Sequence, residues 1–108
     1  MNVRYETAYG VFEWDSEKDA SNKQKHGIGF ALASEAFADI DALFLADIAH
    51  SKGELRQKIL GKVGNMSLLL VVFTERSVTR IISARKATKK EVDFYVQHNY
   101  ERCTGART

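Results

Sequence analysis

The chain of 108 residues has no proline and only one cysteine. Without proline, a low-complexity tract or an internal repeat, there is no stretch that reads as a linker, so residues 1–108 are taken as a single domain with one modest core. The lone Cys103 excludes an intrachain disulfide framework and suits a reducing compartment, and a half-buried place on the last helix is the expected setting for it. No apolar stretch is long enough for a signal sequence or a membrane span, the longest being Leu68 to Phe73, so the expected location is the cytoplasm. No Cys/His spacing suggests a metal site, and no cofactor is expected.

Net charge is also small, at +2, but this conceals segregation. From Arg76 to Lys90 there are six cations (Arg76, Arg80, Arg85, Lys86, Lys89, Lys90) and no acid. From Phe30 to Ser51 there are Glu35, Asp39, Asp41 and Asp47 and no Lys or Arg. Local clustering of this kind points to a polyanion or an acidic partner where the total does not.

The order of elements reads β-α-α-β-β-β-β-α. Tyr9 to Trp14 alternates bulky residues and leads into a helix from Glu17 to His26, with Asp15 or Ser16 as N-cap and Gly27 as stop. That helix has almost no apolar stripe, and Lys18, Asn22, Lys25 and His26 share one of its faces, which is either solvated surface or part of a site. A second helix, Phe30 to Ala38, turns Phe30, Ala33 and Phe37 inward. Strands over Ala42–Ile48, Leu55–Lys62, Ser67–Glu75 and Val78–Lys86 follow, joined by short turns that make an antiparallel meander. Arg56 and Lys58 fall on one face of the second of these. Thr88 and Glu91 form a capping box for a last helix that should turn Val92, Tyr95, Val96 and Asn99 to the sheet and leave Phe94, His98 and Tyr100 elsewhere. The ends, 1–8 and 104–108, are expected to be flexible. The class is α+β, with an antiparallel sheet of four to five strands, two N-terminal helices and one C-terminal helix.

Three motifs carry a family resemblance: FEWD at Phe12–Asp15, N-x-x-KHG-x-x-F at Asn22–Phe30, and RIISARKAT-x-x-E at Arg80–Glu91. In order and spacing they resemble the BrnT family of type II toxins. The resemblance implies a RelE/ParE-like ribonuclease that inhibits translation, a cognate BrnA-type antitoxin, a complex of two toxins with two antitoxins, and contact with operator DNA only through that complex. Glu54 and Arg56 are similar to the family's acid-then-Arg pattern before Ile59–Gly61. The family usually carries acids after Phe30, where this chain has Ala31 and Leu32, so no carboxylate role transfers to those positions. That loss motivates an alternative, an inactive homologue acting as an antitoxin-bound corepressor.

Metal-independent RNA cleavage needs a base for the 2′-hydroxyl, a cation for the phosphorane and an acid for the leaving 5′-oxygen. His26, after Lys25 at a helix end, is the proton-transfer candidate, with capping of the helix C-terminus as the structural alternative. Arg85 is the leading phosphate ligand, its alternative a surface salt bridge, and Arg56 and Lys25 are its companions. Glu54 is a second candidate base, or a structural partner of Arg56 or Lys52. Lys18, Asn22, Lys58, Arg80 and Lys86 are candidate RNA-binding residues, although strand alternation sets Arg80 opposite Arg85 unless a bulge intervenes. His50 and His98 are read as surface residues.

Overall fold

The computed structural model describes residues 1–48, 53–64 and 67–104. Lys52, His50 and the last four residues lie outside these, as does the side chain of Cys103.

The chain opens on a hairpin of β1 (Asn2–Thr7) and β2 (Gly10–Asp15), paired from Asn2 with Asp15 to Thr7 with Gly10. The expected loose N-terminus is therefore an ordered edge strand. Its start is tied down where the Met1 amino group reaches Asp15 Oδ1 at 3.0 Å and Met1 O accepts Ser16 N at 2.8 Å. Helix α1 (Ser16–His26) starts on the Asp15 carboxylate, which accepts Lys18 N, and has Glu17 and Asp19 in its first turn and Lys23, Lys25 and His26 in its last, complementing the helix dipole at both ends. Gly27, at φ 73°, supplies the left-handed residue that ends it.

The expected helix over 30–38 is α-helical only in α2 (Phe30–Ala33) and tightens into a 3₁₀ segment, Ser34–Ala38. That geometry aligns residues three apart, and it sets Ala33 and Ala36 on the buried side. Ala36 lies so close to the sheet that a Cβ at Gly61 would stand 2.5 Å from its carbonyl oxygen. Strands β3 (Leu43–Ala46), β4 (Arg56–Val63), β5 (Ser67–Glu75) and β6 (Thr79–Lys86) then form the meander, and α3 (Lys89–Thr104) closes the chain.

The class is α+β as expected, but among the described residues the sheet has six strands, ordered β1-β2-β6-β5-β4-β3, rather than four to five. It is also mixed, because β2 and β6 run parallel where Phe12 and Glu13 meet Thr79 and Arg80. Beyond that contact β2 gives way to α1, and Asn22 takes over the edge of β6. Its Nδ2 donates to Ala84 O (2.8 Å) and Ile28 O (2.9 Å), and its Oδ1 accepts Ala84 N (3.2 Å). A side-chain amide, carrying both donor and acceptor, thus replaces a strand neighbour.

One face of the sheet is closed. Phe12, Phe30, Phe73, Ile59, Val71 and Ile81 are almost fully buried there, and the Phe37 ring packs tilted against Phe12 and edge-on against Phe73, both with centroids 5.0 Å away. Each such side chain contributes about 1.5–3 kcal/mol by leaving water. Among the described residues the other face is covered only at one end, where Leu43, Leu60 and Leu70 meet Ala87 and Tyr95 of the α3 region. The expected burial of Val92 and Val96 does not occur: they are 37% and 56% exposed. Polar ties position α3 instead, Tyr95 Oη donating to Asp39 Oδ2 (2.6 Å) and Arg102 Nη2 to Asp41 Oδ1 (2.6 Å). Burial, reinforced by Asp39, raises the Tyr95 hydroxyl's pKa and keeps it a donor. Among the described residues no helix is long and apolar enough to cross a membrane.

Candidate functional site

The open face is where cations gather, and a bulge arranges them. Register slips between Val72, opposite Ser83, and Phe73, opposite Ile81, so Ile82 is an extra residue. Both Ile81 and Ala84 consequently enter the closed core, and Arg80 and Arg85 come to lie together on the open face. The alternation that would have separated them is cancelled by that one residue.

Cross-strand register then orders this face in rows. Arg56, Thr74, Arg80 and Glu13 are successive neighbours across four strands, Lys58, Val72 and Ser83 form the next row, and Leu60, Leu70 and Arg85 the third. With strands about 4.8 Å apart, Arg56 and Arg80 are anchored roughly 10 Å from each other. A cavity of about 270 Å³ lies over these rows, lined by Asp47, Arg56, Lys58, Leu70, Val72, Ile82, Ser83 and Arg85. Asp47 is buried, and its carboxylate lies 4.0 Å from Lys58 Nζ.

Arg85 is held rigidly. Its Nη1 and Nη2 donate to the two oxygens of Glu91 at 2.8 and 3.0 Å, and Nη1 also donates to Lys86 O. Glu91 at the same time completes the capping box, accepting Thr88 N (2.8 Å) while its own N–H donates to Thr88 Oγ1 (3.2 Å). Hydrogen bonding from Arg85, with help from Thr88 and against the effect of burial, holds the Glu91 carboxyl down at about 2. One acid therefore joins the end of β6, the start of α3 and the orientation of the guanidinium. The salt bridge and the site are compatible readings of Arg85, since Nε and the second Nη2 hydrogen remain as donors.

Of the remaining candidates, Glu54 is not in the cavity. It lies exposed at the far end, paired with Arg76 through both oxygens (3.0 and 3.2 Å), and this hydrogen bonding lowers its pKa, which disfavours it as a base at neutral pH. Asn22 is the buried bracket described above, unavailable to RNA because its amide is spent on Ala84 and Ile28. Arg80 donates to Glu13 (3.1 Å) and Asn2 (2.7 Å). Lys18, Lys25 and His26 are exposed on α1, and none of them lines the cationic cavity. Lys86 lines a different hollow with Gly27, Ile28 and Leu32. Asp47 and Ser83 are the polar groups that sequence reasoning missed. Ser83 stood inside the RIISARK motif, but its direction depends on the bulge.

Two larger hollows, of about 480 and 580 Å³, are poorer candidates. The first sets Glu35 and Asp39 against one Lys62, an unwelcoming balance for a polyanion, and the second surrounds the exposed turn at Arg76–Thr79. Among the described residues no group of three or more His, Cys, Asp or Glu is placed to hold a metal ion.

Fold and face together define a small α+β protein with a cluster of cations on the uncovered surface of its sheet. The family model of the BrnT ribonuclease toxin of type II toxin-antitoxin systems matches residues 14–91, and the chain belongs to this family. A 1.1 Å crystal structure of the Brucella abortus ribonuclease toxin BrnT is similar, with 28% sequence identity, a TM-score of 0.55, and coverage of 70% of this chain and 94% of that one. No curated protein matches the sequence. The β1 strand and the first residues of β2 precede the matched region.

Proposed function

We propose that this toxin is a metal-independent endoribonuclease that cleaves RNA in the groove of Arg56, Lys58 and Arg85. The observation that carries the reading is the convergence of these three cations on one cavity of the open face. Arg85, oriented by Glu91, and Arg56 stabilise the charge that develops on the phosphorane. Lys58 stands beside them to protonate the leaving 5′-oxygen, and Asp47, the carboxylate that lines the cavity, receives the 2′-hydroxyl proton. Arg80 extends the phosphate path toward β2. Lys25 and His26 are assigned no step, because they stand outside the groove.

The wider reading follows the family. Cleavage inhibits translation, the fold is RelE/ParE-like, and a BrnA-type antitoxin neutralises the toxin in a two-to-two complex that contacts operator DNA through the antitoxin. Apolar side chains left exposed on α3, among them Phe94, Val96 and Tyr100, offer that partner a surface.

The test is incubation of the purified chain with labelled RNA in the presence of EDTA, with analysis of the product ends. Fragments ending in 2′,3′-cyclic phosphate are expected. If neither free RNA nor ribosome-bound RNA is cut by the folded protein, the activity proposed here is wrong and the corepressor reading replaces it.

A further inference from the structure

Among the described residues, the strand that precedes the family-matched region is an open edge. β1 ends the strand order, and its pairing with β2 fixes which of its backbone groups are spare. Met1 O accepts Ser16 N, so the bonded pairs alternate as Met1–Ser16, Val3–Trp14, Tyr5–Phe12 and Thr7–Gly10. The N–H and C=O groups of Asn2, Arg4 and Glu6 therefore point away from the sheet. Val3 packs toward the core and the Tyr5 ring lies tilted against Trp14 with centroids 5.4 Å apart, which puts the Arg4 and Glu6 side chains together on the open face, 60% and 70% exposed and paired with each other at 3.2 Å in the free edge.

Charges on an edge ordinarily discourage pairing. Here their signs and spacing select one pairing instead. In an antiparallel match of this edge with itself, Tyr5 centred on Tyr5 sets Arg4 directly opposite Glu6 of the other copy, twice. It also brings together residues whose outward N–H and C=O groups can exchange hydrogen bonds. A shift by two residues in either direction sets Arg4 against Arg4 or Glu6 against Glu6, like charges directly opposed. A shift by one sets outward groups against inward ones.

We propose that β1 is a self-association edge, and that its occupant is the β1 strand of a second copy in this register, giving a symmetric dimer with one continuous sheet. Local two-fold axes of an antiparallel sheet stand perpendicular to it, so both cationic faces point the same way. The contact is one strand wide, which places it among small, transient interfaces, and association depends on concentration.

Sedimentation of the full chain across a concentration series tests this. Wild type should pass from monomer to dimer. Glu6→Arg, which sets cations opposite one another, should weaken association at least about tenfold, and an equimolar mixture of Glu6→Arg with Arg4→Glu should recover it as a heterodimer. Within its own chain Arg4 faces Glu13 and pairs with Glu6, so circular dichroism must show that Arg4→Glu and Glu6→Arg are both folded before either variant or the mixture is read. Glu6→Pro provides an independent arm, because it removes an outward N–H that the monomer does not use and should likewise abolish the dimer. A wild type that stays monomeric throughout, or a dimer indifferent to both Glu6 substitutions, overturns the proposal. Failure of a folded mixture to recover association overturns the register.

Discussion

The two faces of one sheet are built on opposite terms. On the closed face Phe37 bridges Phe12 and Phe73, and Ala36 seats on Gly61, a surface whose energy comes from exclusion of water. On the open face the same strands present Arg56, Lys58, Arg80 and Arg85, with Glu54, Glu13 and Glu91 pairing with arginines at its margins and Asp47 lining the cavity beside Lys58. The first face stabilises and the second is left free to act. A protein of this size has apolar side chains enough to finish one core, and here it finishes one side only.

The largest effect that separates the faces should come from adjacent residues of β5. Phe73→Ala empties a site in the closed core and should cost about 3–5 kcal/mol in chemical denaturation. Val72→Ala, pointing the other way and only half-buried, should cost about 1 kcal/mol. Equal losses would mean that both faces are packed cores. Next is Asn22→Ala, which strands the N–H and C=O of Ala84 at a buried edge and should cost about 2–3 kcal/mol. Loss of less than a few tenths would show that Asn22 is not the neighbour β6 requires.

A smaller effect belongs to the hinge between the faces. The Glu91 carboxyl is depressed in the folded chain from the usual 4.5 to about 2. The unfolded state therefore binds the proton first, and the contribution is present above pH 4.5 and lost as pH falls from there through about 2. Discounted for the solvent that reaches Arg85, it amounts to about 1–2 kcal/mol. Glu91→Gln should flatten the acid side of the stability profile between these limits, and an unchanged slope would remove Glu91 from that role. Smallest of all is Glu54→Gln at the exposed rim, which should alter neither the melting temperature nor RNA cleavage measurably. A large drop in cleavage would return Glu54 to the site.

Much of this contrast was legible in the sequence. The β-branched run at Val78–Lys86, the Thr88–Glu91 capping box and the turn at Gly27 are local signals, and each produced the element it predicts. Alternation in Arg56–Leu60 put Arg56 and Lys58 on a single face, as observed. What stayed hidden depended on distant neighbours. The N-terminal residues look unremarkable until β2 pairs with them, and Asn22 reads as a surface residue until Ala84 arrives 62 positions later. The bulge at Ile82 has no glycine to announce it, yet it decides whether Arg80 and Arg85 share a face. The last helix departs from its expected orientation for a related reason: Val92 and Val96 have the spacing of a buried stripe, but Asp39 and Asp41 hold the helix by Tyr95 and Arg102 in another orientation.

The most direct test of the open-face account compares cleavage rates of Arg85→Ala and Arg56→Ala with that of His26→Ala, on the same RNA, after circular dichroism has shown all three to be folded. The groove variants should each lose about 100-fold or more, the scale of removing one stabiliser of transition-state charge, while His26→Ala stays within a few-fold of wild type. Full loss in His26→Ala with activity retained in the two arginine variants would contradict the account and move the chemistry to the end of α1.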